Sequence, residues 1–188
     1  GKTHSILGTL KEPGILPLAM HDIFKLDGGS KIASFKVRVS YFEIFNERVI
    51  DLLAAGPRRP EGLPVKEDAE RGFFVQGLSE VVVRSAKEVL RLIERGEDRR
   101  RYSETRWNEC SSRSHVLFTL SLERAGEDCA DEARPRGVFQ ASKLSIVDLA
   151  GCENHKLEPS EDGRYINRSL FFLGEVISRL CSTSRGDG

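Results

Sequence analysis

Residues 143–149 (KLSIVDL) restrict the fold of this chain more than any other stretch. The run is mostly apolar and too short for an ordinary helix, so it reads as a strand. It carries Asp148 near its end, followed by Ala150 and Gly151. A charged group at the end of an apolar strand, with small residues behind it, fits either a site at the strand end or an Asp that caps the following turn. Other segments supply the sheet. Over Ser34–Phe45, Phe35, Val37, Val39 and Tyr41 alternate with Lys36, Arg38 and Ser40, the period of a half-buried strand. At Phe42–Phe45 both faces turn apolar, as in a strand entering a covered sheet. Val116–Leu122 reads as a further strand. Two short ones, Pro64–Lys66 and Phe73–Val75, flank the charged turn Glu67–Gly72.

Helical spacing appears in three places. Ile15, Leu18, Ala19 and Ile23 place a short helix over Leu16–Phe24. Ser85–Arg101 is the clearest helix: Ser85 is a plausible N-cap, Glu88 its capping-box partner, and Val89, Leu92 and Ile93 its buried side. The basic run at 99–101 suits a helix C-terminus. Tyr165–Leu180 carries an apolar stripe of Ile166, Leu170, Leu173, Ile177 and Leu180. Asn46–Leu53 reads as a short helical turn, and 27–30, 54–63, 124–136 and 151–164 read as turn or loop. Strands and helices alternate, so the expected fold is α/β with a mixed sheet.

Composition excludes several classes. A chain of 188 residues with 39% hydrophobic and 31% charged residues suits one globular domain. Lys+Arg and Asp+Glu both number 29, which argues against a nucleic-acid binder. No apolar run is long enough to span a membrane. The first ten residues have neither the apolar core nor the cleavage site of a signal peptide. Cys110, Cys129, Cys152 and Cys181 lack metal-ligand spacing and the four His do not cluster with them, so a reducing cytosolic setting is the default expectation.

Three motifs bear chemistry. Gly1-Lys2-Thr3 has the last three positions of a phosphate-binding loop: a glycine for close backbone approach, a Lys for the β/γ-phosphates, a hydroxyl for Mg²⁺. The alternative is an accidental tripeptide. Ile146–Gly151 (IVDLAG) has an Asp that can support Mg²⁺ through water and a Gly whose N–H can reach a γ-phosphate. The alternative is a strand ended by a capping Asp. Asn108–His115 (NECSSRSH) is the sharpest signal. Its adjacent hydroxyls can serve a Mg²⁺ ion and an attacking water, and its Arg can meet a carboxylate across a cleft. A Ser-rich capping loop is the alternative.

At these residues the chain resembles the kinesin family. SSRSH followed by DLAG-x-E resembles that family's switch I and switch II pair. Further blocks agree in order: Gly14–Phe24 (GILPLAMHDIF), Tyr41–Leu53 (YFEIFNERVIDLL), and Tyr165–Leu180 (YINRSLFFLGEVISRL), which resembles the relay helix. Glu104–Asn108 (ETRWN) is similar to the wording of the centromere-associated kinesin-7 branch. The resemblance implies a phosphate-loop-type kinesin motor fold, a central mixed sheet flanked by helices, over residues 1–188. It implies a partial domain that begins within the phosphate loop and ends after the relay helix. It implies a microtubule-based motor ATPase using ATP and Mg²⁺, located in the cytoplasm on the microtubule cytoskeleton. The full-length protein would be dimeric through a coiled coil absent here, with no nucleic-acid or membrane partner. These 188 residues alone are expected to be poorly stable and inactive.

Site roles follow from the same resemblance. Gly1, Lys2, Thr3, Asn108, Ser112 and Gly151 would bind nucleotide. Thr3, Ser112 and, through water, Asp148 would support the metal. Ser111 would position the lytic water, and Arg113 and Glu153 would form the ion pair that shuts the site. Contact with tubulin would fall to Lys66, Arg71 and Arg168, each of which could equally be a solvated surface charge. Residues 155–163 (HKLEPSEDG) are short and acidic where the family usually carries Gly and Lys, and Cys152 replaces a usual Ser. That departure motivates the alternative of a non-enzymatic, microtubule-binding pseudo-motor. Intact Ser111, Ser112, Arg113, Asp148, Gly151 and Glu153 count against it.

Overall fold

The computed structural model describes residues 1–9, 11–25, 35–57, 59–69, 72–107, 114–124, 140–151 and 161–183. Its elements run α1 (Lys2–Leu7), α2 (Ile15–Lys25), β1 (Phe35–Phe45), β2 (Arg48–Asp51), β3 (Val65–Asp68), β4 (Gly72–Val75), β5 (Val81–Val83), α3 (Ala86–Trp107), β6 (His115–Arg124), β7 (Gln140–Asp148) and α4 (Glu161–Thr183). The main sheet has the order β2-β1-β6-β7, with β5 also paired to β1, and β3 and β4 form a separate hairpin. Each pairing among the described residues is antiparallel.

The strand period decides what packs where. Val37, Val39 and Tyr41 stand opposite Leu122, Leu120 and Phe118, and the last two stand opposite Leu144 and Ile146. Partners in register share a face, so these side chains form rows on one side of the sheet. Leu16 and Met20 of α2 and Val89 and Ile93 of α3 complete the core there, with Ile6 and Leu7 of α1 packed against it. Burying each such side chain stabilises the fold by roughly 1.5–3 kcal/mol. The return from α1 to α2 is tight. Gly8 has φ 71°, and a Cβ there would sit 2.1 Å from the Gly14 nitrogen, so only glycine fits.

The expected turn over 46–53 is corrected: it contains a hairpin. Asn46 and Glu47 take positive φ values of 48° and 62°. Two consecutive left-handed residues reverse a chain between twisted strands. Arg48–Asp51 then pairs with Phe42–Phe45. The apolar–polar–apolar run had suggested helical spacing, but β1 offered an open edge. Asp51 stops the strand. Its carboxylate accepts from the N–H groups of Leu53 (2.8 Å), Ala54 (3.1 Å) and Ser79 (2.8 Å). Strand β5 went unread in the sequence because three valines carry no period.

At α3 the cap is as expected on one side. Ser85 Oγ accepts from the Glu88 N–H at 3.3 Å. The returning Glu88 carboxylate takes the Arg84 N–H instead, at 2.8 Å. The helix does not end at the basic run; it continues to Trp107. Arg99 sits inside it and donates to the carbonyls of Ala54 (2.8 Å) and Gly56 (2.5 Å), tying the helix to the turn after β2.

Candidate functional site

The site forms where β7 ends beside the start of α1. Thr3 Oγ1 donates to Asp148 Oδ2 at 2.6 Å, across 145 residues of sequence. Lys2 begins α1 and is exposed, with Gly1 as the residue before it. Asp148 is buried, and its Oδ1 has no hydrogen-bond partner among the described residues. An unpartnered carboxylate oxygen away from water is costly, so it marks where a cation or a donor belongs. The donor set there is hard oxygen, a hydroxyl and a carboxylate, which fits Mg²⁺. A small cleft beside them has room for about one water and is also lined by Tyr41, Glu97, Arg100 and Ile146.

Beneath that cleft lies a polar network that the sequence reading missed. Glu43, Val116 and Asp148 stand in one row across β1, β6 and β7. Arg100 reaches this row from α3. It is buried, donates from Nε to Glu43 at 3.2 Å and from Nη2 to Ser114 Oγ at 3.0 Å, and lies 3.8 Å from Glu97. Tyr41 donates to Glu97 at 2.5 Å. Burial first, and the Glu97 carboxylate second, push the Tyr41 hydroxyl far above its usual range, so it stays a donor. The signal for this network was present in the sequence: Glu43 is a lone charge inside an apolar strand run. Arg100 was hidden among three arginines.

On the opposite face of the sheet, His115 occupies the position next to Val116. The Ala150 N–H donates to its Nδ1 at 3.1 Å, so the ring proton sits on Nε2, which lies 2.7 Å from Ser169 Oγ on α4. Burial lowers the His115 pKa and favours this neutral form.

Of the expected site residues, Thr3 and Asp148 meet directly, and Gly1, Lys2 and Gly151 flank them in sequence. Asn108, Ser111, Ser112, Arg113 and Glu153 lie outside the described residues, as does Arg71. Lys66 is exposed on β3. Arg168 is exposed on α4 and lies over the Phe172 ring, 5.7 Å from its centroid.

An α/β sheet with a Gly-Lys-Thr helix start set against an acidic strand end defines the class of phosphate-loop-type domains. Comparison with known proteins narrows this. The sequence model of the kinesin motor domain matches residues 1–186, and the chain belongs to that family. A rice protein, kinesin-like protein KIN-7L (Oryza sativa subsp. japonica), is 39% identical over 100% of this chain, which spans 29% of the rice protein. The chloroplastic kinesin-like protein KIN-7L of Arabidopsis thaliana is 44% identical over 96% of this chain and 18% of its own length. These relatives agree with the kinesin-7 branch suggested by residues 104–108. The chain therefore spans less than a third of either relative. Among solved structures, a fast kinesin superposes with a TM-score of 0.75 at 32% identity, over 89% of this chain and 47% of that one. A KIF14 dimer with AMP-PNP in complex with a microtubule superposes with a TM-score of 0.80 at 28% identity, over 100% of this chain and 54% of that one. The kinesin motor fold expected from the sequence is thus the fold observed.

Proposed function

We propose that this chain is the nucleotide-handling part of a microtubule motor that hydrolyses ATP. The observation that carries the reading is the 2.6 Å contact between Thr3 and Asp148, made by the two residues that a kinesin site assigns to one metal ion. Lys2 neutralises the β/γ-phosphates, and the amide N–H groups at Gly1 and Gly151 approach phosphate oxygens. Thr3 and Ser112 hold the metal, with Asp148 supporting it through water. Bound Mg²⁺ supplies charge neutralisation at the transferred phosphoryl group. Asn108 lines the nucleotide, and Ser111 orients the attacking water. Arg113 and Glu153 pair across the cleft and exclude bulk water, which strengthens every charge interaction inside.

Loss of the γ-phosphate then changes the order of the loops on either side of the site, and α4 moves with them. Lys66, Arg71 and Arg168 present positive charge to an acidic filament. Tubulin is the proposed partner and the microtubule cytoskeleton the proposed location. The membership of the kinesin family supports this reading, as does the likeness to a motor solved on a microtubule.

The test is steady-state phosphate release by the full-length protein with and without microtubules. Glu153→Ala is expected to lower filament-stimulated turnover at least about a hundredfold by misaligning the closed site. Unchanged turnover and unchanged filament release would overturn the enzymatic reading.

A further inference from the structure

We infer that His115 is a positioning residue that couples the turn after β7 to helix α4, resting on the motor reading above. The geometry is specific. One imidazole accepts the Ala150 N–H through Nδ1 at 3.1 Å and faces Ser169 Oγ through Nε2 at 2.7 Å. It thereby joins three elements that lie 35 and 54 residues apart in sequence. Ala150 is buried, and it directly precedes Gly151. Any shift of the turn that moves the Ala150 amide must either move the ring or break this bond, and the ring is anchored on β6.

The strand beneath it is paired on both sides. Ile44 stands opposite His115, and Val116 stands opposite both Glu43 and Asp148. The preceding residue, Ser114, is buried and held by Arg100 at 3.0 Å. His115 therefore cannot follow the turn by sliding. Displacement of the turn is passed to Ser169, or the link parts, and either event changes how α4 is held. The ring touches neither phosphate nor metal ligands in this scheme; it acts through Ala150 and Ser169.

Two substitutions separate the halves of the link. Ser169→Ala keeps the ring and the Ala150 bond and removes the α4 side. In the full-length protein it is expected to leave filament-free ATP turnover within about twofold while lowering the stimulation by microtubules about fivefold, the lower end of ordinary coupling between sites. His115→Phe removes both bonds and is expected to lower filament-free turnover as well as stimulation. His115→Gln keeps a donor and an acceptor and should recover part of both. Stimulation by microtubules unchanged in Ser169→Ala overturns the proposal.

Amide hydrogen exchange gives a readout that does not depend on turnover. The Ala150 amide should stay protected in Ser169→Ala and exchange faster in His115→Phe, with faster exchange along α4 in both. If the wild-type protein shows no microtubule-stimulated turnover, the motor reading falls. The His115 link then stands or falls on exchange: unchanged Ala150 and α4 protection in His115→Phe would overturn it.

Discussion

Helices α3 and α4 are nearly equal in length, 22 and 23 residues, yet they are held in opposite ways. Helix α3 is the more polar of the two, and it is buried on its sheet-facing side through Val89, Ile93 and even Arg100. Helix α4 carries the more apolar stripe, and Phe171, Phe172, Leu173, Val176, Ile177 and Leu180 are 38–64% exposed. Side-chain chemistry alone does not decide burial. Helix α3 has a complete partner in the β1 face and in α2. Helix α4 contributes no side chain to the core formed by the described residues. One helix is a fixed wall of the site. The other is joined to the sheet by the contact between His115 and Ser169, which suits an element proposed to move.

Equivalent changes in the two helices should therefore differ in size, and in one case in sign. The largest effect is expected from Arg100→Leu, which strands Glu43 without its buried guanidinium. Breaking such a pair costs about 3–5 kcal/mol, to be read by chemical denaturation. Arg168→Leu on α4 should cost at most about 1 kcal/mol, the scale of an exposed cation–π contact. Equal losses in the two variants would break the comparison.

The glycines sharpen it further. A Cβ at Gly96 of α3 would meet Tyr41 Cδ1 at 2.5 Å and Cε1 at 2.8 Å. The tyrosine cannot swing away without losing Glu97, so Gly96→Ala should destabilise by about 1–3 kcal/mol. At Gly174 of α4 no atom of the described residues would lie within 4 Å of an added Cβ. Gly174→Ala there should stabilise by up to about 1 kcal/mol through helix propensity. The same substitution with the same sign in both helices would refute the contrast.

The smallest effect is the pH dependence of the joint between sheet and α4. His115 has a lowered pKa in the folded chain, so the unfolded chain binds its proton more readily. Its contribution to stability is complete above the ordinary histidine value near 6.5 and is lost as pH falls through the lower folded value. Melting temperature followed from pH 7.5 to 5 should fall more steeply in the wild type than in His115→Phe. Parallel slopes would show that the ring does not titrate against folding.

Much of this was legible in the amino-acid order. Strands over 34–45, 116–122 and 143–149 and helices over 16–24, 85–101 and 165–180 each lie at observed elements, because a sustained period of two or 3.6 records which face is buried. Thr3 and Asp148, which meet in the structure, were also singled out in the sequence, because each stands in a short motif of recognisable residue types. Other features were not. Residues 46–53 carry a spacing compatible with a helical turn, and the open edge of β1 made them a strand. The arginines at 99–101 read as the end of a helix, but α3 runs past them and buries Arg100.

The sequence by itself determined the family, the alternation of strands and helices, and the residue types gathered at residues 1–3, 108–115 and 148–153. Local order suffices for these, since periodicity and motif spacing are properties of neighbours along the chain. The tertiary structure alone decided that Thr3 touches Asp148, that Glu43 and Asp148 share a row with Arg100 beneath it, and that one histidine spans Ala150 and Ser169. Those contacts depend on register between strands distant in sequence, and register is set by the whole packed sheet.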